Sequence, residues 1–397
     1  MHPRRLITAI LALACAAAAP RARDLGIPFE GTPGLLNAIT DVPGVEVGQV
    51  TLIAGNGKLQ IGKGPIRSGV TTILPRGRSG EPVYGGTFDL NGNGEMTGQA
   101  YLTDIGTIDG PIGISNTNAI GQVYAGIMQW SQHAIGHTAT PVVAETWDGW
   151  LNDIEGFHVQ PSDAIHALEA ARGGVVEEGD VGGGTGMVCF GFKGGIGTAS
   201  RRITAGGQFY TVGVLVQCNT GDRQTLRIAG VPVGAALTNR LLSCYDPALA
   251  PPDKTPKCRP DGKAGQKHPD QGSIIIVAGT DAPLTPTQLT RVAKRTALGL
   301  ARLGSYSGND SGDLMLAFST AAAHVNHVDQ TQAPPIAQLA NQSIDPVFEG
   351  TVEATEEAIV NALVAARTMT GIDGIRYFAI PHDELVRLLK QYGRHAP

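Results

Sequence analysis

Charge and aromatic rings are both scarce in this 397-residue sequence: 16% of residues are charged and 5% are Phe, Trp or Tyr. The formal net charge of −5 removes the basic footprint that nucleic-acid binding requires. With few rings to fill space, sheets and helices must pack through aliphatic side chains and through the 54 glycines. No collagen-like or solenoid period runs through those glycines, so they read as turns and close backbone approaches. A hydrophobic content of 42% is ample for a large core, as one big domain or two.

Long apolar runs are also missing beyond the N-terminus, and no later segment reads as a transmembrane span. The first residues differ. Arg4 and Arg5 precede an apolar run from Leu6 to Ala19, with small residues around Ala17 to Ala22. This is a signal-peptide pattern, taken as residues 1–23, and it predicts a secreted or periplasmic protein. An uncleaved membrane anchor is the alternative. Cys15 raises a lipoprotein reading, but Ala12 is a poor match for the residue expected three positions earlier. Residues 1–23 hold four arginines and no acids, so their loss would move the formal charge from −5 to −9.

Cysteines are few, five in all, and export makes their use informative. Cys244 and Cys258 share one proline-rich polar stretch and are expected to form a disulfide that clips a loop. Cys189 and Cys218 lie in apolar, strand-like runs, as buried free thiols or as a second bridge.

Short apolar or β-branched segments bounded by Gly, Asn or Asp predict strands over 45–53, 141–145, 186–192, 209–218, 273–279 and 314–319. Helices are predicted from a Ser162 cap to Arg172, from Thr285 with Pro286 and Gln288 to Gly304, over 351–369, and over 383–392. Strands mixed with long amphipathic helices fit a layered α+β architecture, with helices covering sheets.

From Cys244 to Gly272 the chain is rich in proline and charge and nearly devoid of apolar residues. Such a stretch runs over the surface. It ends abruptly at Ser273, where the apolar SIIIVAG begins. A surface linker joined directly to a buried strand is where a cut leaves the core undisturbed. A Gly-Ser step at that junction has a specific chemistry. Ser273 Oγ can attack the Gly272 carbonyl, and water then frees a new N-terminus. The resulting amine, with an ordinary pKa near ~8, can serve as the base for the same residue's hydroxyl. On its own the dipeptide is a common one and carries little weight.

Longer motifs add weight. They are NAITDVPGVEVG at 37–48, GPIRSGVTTILPRG at 64–77, LNGNGEMTG at 90–98 and DGPIGISNTNAIG at 109–121. PVVAETWDGWLNDIEGFHV at 141–159, GDVGGGTGMVCFGFKGGIGTASR at 179–201, GSIIIVAGTDAPL at 272–284 and SGDLMLAFSTA at 311–321 follow in order. Through these the chain resembles the DmpA-type self-processing serine aminopeptidases, which include β-peptidyl aminopeptidases and L-aminopeptidase/D-amidase/esterases. The resemblance implies an αββα layered sandwich of the N-terminal-nucleophile kind. It implies a cut between Gly272 and Ser273, giving a large fragment, 24–272, and a small one, 273–397, within one domain. It also implies a homo-oligomer, a tetramer of processed heterodimers, with no cofactor and no metal.

The same resemblance assigns roles. Ser273 matches the nucleophile, and Asn219 the side-chain amide that stabilises the oxyanion. Ser311 matches a second serine that hydrogen-bonds the nucleophile, and Asp313 falls where some members carry a glutamate. Glu145 matches the acid that meets the substrate's free ammonium. Trp147 stands where one branch carries tyrosine, as an N–H donor or as a pocket wall. The implied substrates are short peptides, amino-acid amides or esters with a free amine. An acyltransferase or amidohydrolase on the same fold, and a secreted binding protein without turnover, are the rival readings.

The glycine runs at 182–186 and 191–197 lack the Lys-Ser/Thr ending of a phosphate-binding loop and read as close packing beside the active site. His133 with His137, and His324 with His327, have metal-compatible spacings but no zincin glutamate between them and no third ligand, and read as surface or hydrogen-bonded histidines.

Overall fold

The computed structural model describes residues 19–259, 272–322, 325, 332 and 337–396. Ten of its strands build two large sheets: β1 (Glu46–Ala54), β2 (Ile66–Arg78), β3 (Val83–Gly92), β4 (Thr107–Ile108), β5 (Ile112–Asn116), β6 (Val142–Thr146), β7 (Gly195–Ala205), β8 (Gln208–Asn219), β9 (Gly272–Thr280) and β10 (Ser311–Ser319). The first sheet has the order β1-β2-β5-β6 and the second β4-β3-β10-β9-β8-β7. The main helices are α1 (Ile120–Ala134), α2 (Pro161–Ala170), α3 (Pro286–Arg302) and α4 (Asp345–Ala365).

Three apolar clusters make the layers. Ile73, Ile112, Ile114 and Ala144 of the first sheet meet Leu215, Ile275, Val277 and Leu316 of the second, with no helix between. Val70, Leu74 and Val143 on the outer face of the first sheet pack against Val123, Ile127, Ala164 and Leu168 of α1 and α2. The outer face of the second sheet, with Val214, Ile274 and Met315, packs against α3 and α4 through Leu289, Val292, Ala358 and Ile359. The expected αββα sandwich is what the chain forms.

β9 explains the SIIIVAG run. It lies between β8, antiparallel, and β10, parallel, and both its faces are covered. A strand buried on two sides reads as continuous aliphatic sequence rather than alternation. Each fully buried Ile or Val contributes about 1.5–3 kcal/mol. The parallel β9–β10 pair needs a crossover, supplied by α3. Its capping box is the expected one, with Thr285 accepting from the Gln288 N–H and Gln288 reaching back.

Several local expectations change. Helix α2 begins at Pro161 with Gln160 as its cap, so Ser162 sits inside the first turn, and Asp163 takes the Gln160 N–H at 2.8 Å. Proline at the first helical position fixes that frame. Residues 186–192 are not one strand. Val188–Cys189 and Phe192–Lys193 pair as a tight hairpin, turning through Phe190 and Gly191 at φ 47° and 67°. The helix expected over 351–369 starts earlier, at Asp345, and stops at Ala365. Met369–Thr370 then pairs with Ile375–Tyr377.

Residues 21–23, beside the expected signal boundary, are tied to the core. Arg21 pairs with Glu178 at 2.7 Å, Arg23 pairs with Glu357 at 2.7 Å, and fully buried Ala22 donates its N–H to Asn361 at 2.9 Å. A chain beginning at 24 would leave buried Glu178 and Asn361 without these partners. Cys15 and the rest of the apolar run lie outside the described residues, and among those described no helix is long and apolar enough to cross a membrane.

Glycine lets β7 touch α4 directly. A Cβ on Gly197 would stand 1.9 Å from the Ala358 carbonyl oxygen. Gly197→Ala is expected to lower stability by about 1–3 kcal/mol through overpacking, read as a shift in the denaturant midpoint.

Candidate active site

Four strand ends converge at one edge of the sandwich. β6 runs out at Thr146 and β8 at Asn219, while β9 and β10 begin at Gly272 and Ser311. The register sets Asn219 opposite Ser273 across β8–β9, and Ser273 opposite Gly312 and Gly272 opposite Ser311 across β9–β10.

Gly272 occupies a position that only glycine tolerates. Its φ is 144°, and a Cβ there would lie 1.8 Å from the Asn219 carbonyl oxygen. The next residue, Ser273, is 5% exposed, and its Oγ accepts the Gly312 N–H at 3.3 Å.

Asn219 has a fixed amide. Its Oδ1 accepts the Val188 N–H at 2.7 Å and its Nδ2 donates to the Trp147 carbonyl at 2.9 Å. Two residues earlier, buried Gln217 reaches across the sandwich, donating to the Ser115 carbonyl at 2.9 Å and the Thr146 hydroxyl at 2.8 Å. The end of β8 is thereby tied to β5 and β6 of the other sheet.

Ser311 Oγ donates to Asp313 Oδ1 at 2.8 Å and meets Thr220 Oγ1 at 3.1 Å. The shorter carboxylate of Asp313 does reach this serine. Ser311 was expected to bond the nucleophile directly, but its described partners are Asp313 and Thr220. The register is the reason: it sets Ser311 beside Gly272 rather than beside Ser273.

Glu145, on β6, takes hydrogen bonds from the Thr117 hydroxyl and from the Glu95 N–H, the latter at 3.1 Å. Burial pushes its pKa up, and those two hydrogen bonds oppose the rise. Trp147 is 38% exposed and stands edge to face with Trp150, ring centroids 5.2 Å apart. The indole of Trp147 is a wall of the cleft, and its backbone carbonyl is what touches Asn219. Between the two tryptophans, Asp148 is fully buried and receives Asn116 at 3.1 Å, Asn152 at 3.0 Å and Ser68. Burial pushes its carboxyl up to about 6.

Glu145, Trp147, Gly272 and Ser273 line a cleft of about 540 Å³ together with Asn93, Glu95, Thr117 and Trp150, whereas Asn219, Ser311 and Asp313 are not among its lining residues. Thr117, Glu95, Asn93, Trp150 and Asp148 had no role in the sequence reading. They lie inside its quoted motifs, but nothing in a linear pattern says which polar side chains turn inward.

Both cysteine pairs are bridged: Cys244 to Cys258, as expected, and Cys189 to Cys218, which resolves the open alternative toward a disulfide. The glycine run at 182–186 packs against the sheets. Cβ atoms on Gly183 and Gly184 would meet Gln217 Oε1 at 2.2 Å and the Ile196 nitrogen at 2.4 Å. His133 and His137 are exposed, His324 and His327 lie outside the described residues, and the described residues hold no group of three His, Cys, Asp or Glu that could bind a metal.

The Asp148 network supports the tryptophan wall. Asn116→Ala removes a donor from a buried carboxyl and is expected to cost about 1–3 kcal/mol. It should also shift tryptophan emission, as seen by thermal unfolding and fluorescence.

The model of Peptidase family S58 matches residues 37–377. The chain is similar to the β-peptidyl aminopeptidase BapA of Sphingosinicella microcystinivorans, 50% identical over 394 residues, which cover 98% of this chain and 96% of the relative. The BapA of Sphingosinicella xenopeptidilytica is 47% identical over 396 residues, covering 97% and 95%. Among solved structures, it resembles the L-aminopeptidase D-Ala-esterase/amidase from Ochrobactrum anthropi, described as a prototype for the serine aminopeptidases and a new variant of the Ntn hydrolase fold. That match has a TM-score of 0.84 at 42% identity and covers 95% of this chain and all of the other.

Proposed function

The chain belongs to peptidase family S58 and is a serine-type aminopeptidase, and from that premise we propose that it matures by cutting its own Gly272–Ser273 bond and then uses Ser273 as an N-terminal nucleophile. The observation that carries this reading is Ser273 itself. It sits at the mouth of a buried strand, in the cleft wall, preceded by a glycine that no other residue could replace.

In the maturation step, Ser273 Oγ adds to the Gly272 carbonyl carbon and the Gly272–Ser273 C–N bond breaks. An ester joins Gly272 to Ser273 Oγ, and the nitrogen becomes the Ser273 amine. Water hydrolyses the ester to a Gly272 carboxylate and a free hydroxyl. The large and small fragments stay together because β9 remains paired between β8 and β10. The new amine emerges beside Ser311 and Asp313, a hydroxyl–carboxylate pair suited to hold a protonated amine.

In turnover, the Ser273 amine takes the proton from its own Oγ as the oxygen attacks the carbonyl of the substrate's first residue. The downstream amine leaves with a proton, and water hydrolyses the acyl-enzyme. Asn219 offers an amide N–H to the oxyanion, an interaction typically worth about 3 kcal/mol of barrier. Glu145 meets the substrate's free ammonium. Substrates are short peptides, amides or esters with a free N-terminal amine. The two relatives named for β-peptidyl substrates favour a β-amino acyl first residue.

The protein is proposed to act outside the cytoplasm. Two disulfides suit an oxidising compartment. A homo-oligomer of processed heterodimers is proposed with it, and exposed apolar side chains such as Leu35 and Phe209 offer surface for such contacts.

Anilides of β-Ala, D-Ala and L-Ala test the reading, each with a free or an acetylated amine. Hydrolysis is expected only with the free amine, and none by Ser273→Ala. Turnover of acetylated substrates at equal rates would count against an aminopeptidase.

Glu145 generates a pH prediction. Its pKa is raised, so as pH falls it gains a proton at a higher pH than an ordinary glutamate. Ammonium recognition needs the carboxylate, so the acid limb of kcat/KM should lie above the usual glutamate value. Glu145→Gln should raise KM and remove that limb in a pH–rate profile.

A further inference from the structure

The hairpin from Val188 to Lys193 is fastened to the end of β8 next to the site. Cys189 is bridged to Cys218, the residue before Asn219. The Val188 N–H donates to Asn219 Oδ1 at 2.7 Å. The Phe190 N–H donates to the Thr220 carbonyl at 2.7 Å, and the Thr220 hydroxyl in turn meets Ser311. Both cysteines are fully buried. Beneath the hairpin, Lys193 is fully buried too, and its Nζ donates to the carbonyls of Gly194 at 2.7 Å, Met187 at 2.8 Å and Gly184 at 3.3 Å. Burial lowers the pKa of Lys193 to about 7, and in its charged form the three N–H donors match these three carbonyls.

We propose that the Cys189–Cys218 bridge and Lys193 form a positioning element for Asn219, holding the Val188 N–H where it fixes the orientation of the side-chain amide. This rests on the reading of Asn219 as the oxyanion donor. The ends of a primary amide are nearly equal in size, and a half-turn exchanges donor for acceptor. In the exchanged state a carbonyl oxygen would take the place of the N–H, and a developing oxyanion would be repelled. Only outside partners tell the two states apart. Val188 does so by offering a donor to the oxygen, and the Trp147 carbonyl does so from the other side by accepting from the nitrogen.

The disulfide sets the distance between that donor and the strand end. It joins the neighbour of Val188 to the neighbour of Asn219, so the two residues cannot drift apart without bending the bridge. Lys193 holds the root of the hairpin through Met187 and Gly194, the residues just outside its two arms. Methionine at 193 would keep the volume and remove the side-chain donor from three buried carbonyls, of which Met187 and Gly184 keep only their backbone donors, the N–H groups of Gly194 and Met187. The bridge and the lysine touch neither cleft nor nucleophile, and they act through Asn219.

The test compares the Cys189→Ala/Cys218→Ala double variant, Lys193→Met and Asn219→Ala with the natural enzyme. For each, active Ser273 sites are titrated with a slowly deacylating amino-acyl ester, and kcat per titrated site, KM and the half-life of self-cleavage are measured. Expected is a loss of roughly tenfold or more in kcat per site for the bridge and lysine variants. KM should stay within about threefold and self-cleavage should slow in parallel, as befits a group that acts only in the transition state. Fewer titratable sites with normal kcat per site would make the bridge a structural staple and overturn the proposal. So would a bridge variant that fails to fold beside a Lys193→Met enzyme of normal kcat. An Asn219→Ala protein with normal self-cleavage and kcat would remove the oxyanion reading itself. Impairment in Asn219→Ala with normal bridge and lysine variants would remove only the positioning element.

Discussion

The register of β8, β9 and β10 is the constraint on which the site depends. It sets Asn219 opposite Ser273 and Ser311 opposite Gly272, and a slip of one residue would turn each side chain to the other face of its sheet. Aliphatic burial on both faces of β9 enforces that register, because Ile274 and Ile276 must face the helices while Ile275 and Val277 face the other sheet. Ser273, the proposed nucleophile, is therefore placed by the packing of aliphatic residues further along its strand.

Register within one sheet is not enough, because Glu145, proposed to meet the substrate's ammonium, belongs to the other. Gln217 bridges that gap by reaching Ser115 and Thr146, the neighbours of Glu145 across and along the strands. Asn219 adds a second tie through the Trp147 carbonyl. Glu145 and Ser273 are thus held at one spacing by buried hydrogen bonds between sheets. Breaking such a bond leaves a buried polar group unsatisfied, which keeps the network closed.

Much of this was legible in the sequence, and for definite reasons. SIIIVAG announced a strand buried on both faces, and Thr285-Pro286-Gln288 announced the helix after it. Ordered motifs pointed to Ser273, Asn219, Ser311, Asp313 and Glu145, and the fold brings the strand ends that carry them to one edge of the sandwich. The strands that went unread, such as β2 and β7, mix arginine, glycine and serine with few aliphatics. Their apolar residues, such as Val70, Ile73 and Ile196, are buried among glycines and satisfied polar groups, which blur any hydrophobic period. The Asp313 and Thr220 partners of Ser311 went unread because a motif names residues without stating their register. The hairpin at 188–193 looked like a strand because Phe190 and Gly191 turn within an apolar run. The hold of Arg21 and Arg23 on the core was hidden for a related reason. In sequence they follow an apolar run, and their acidic partners lie more than 150 residues away.

Intact-mass measurement of the purified protein, before and after treatment with a slowly deacylating amino-acyl ester, tests the central claim most directly. The account predicts two chains, the smaller beginning at Ser273, whose masses together exceed the uncut chain by one water. It also predicts a single acyl adduct on the Ser273 hydroxyl. For Ser273→Ala it predicts one uncut chain and no adduct. A single uncut chain in the active enzyme, a cut at another bond, or an adduct on another residue would contradict it.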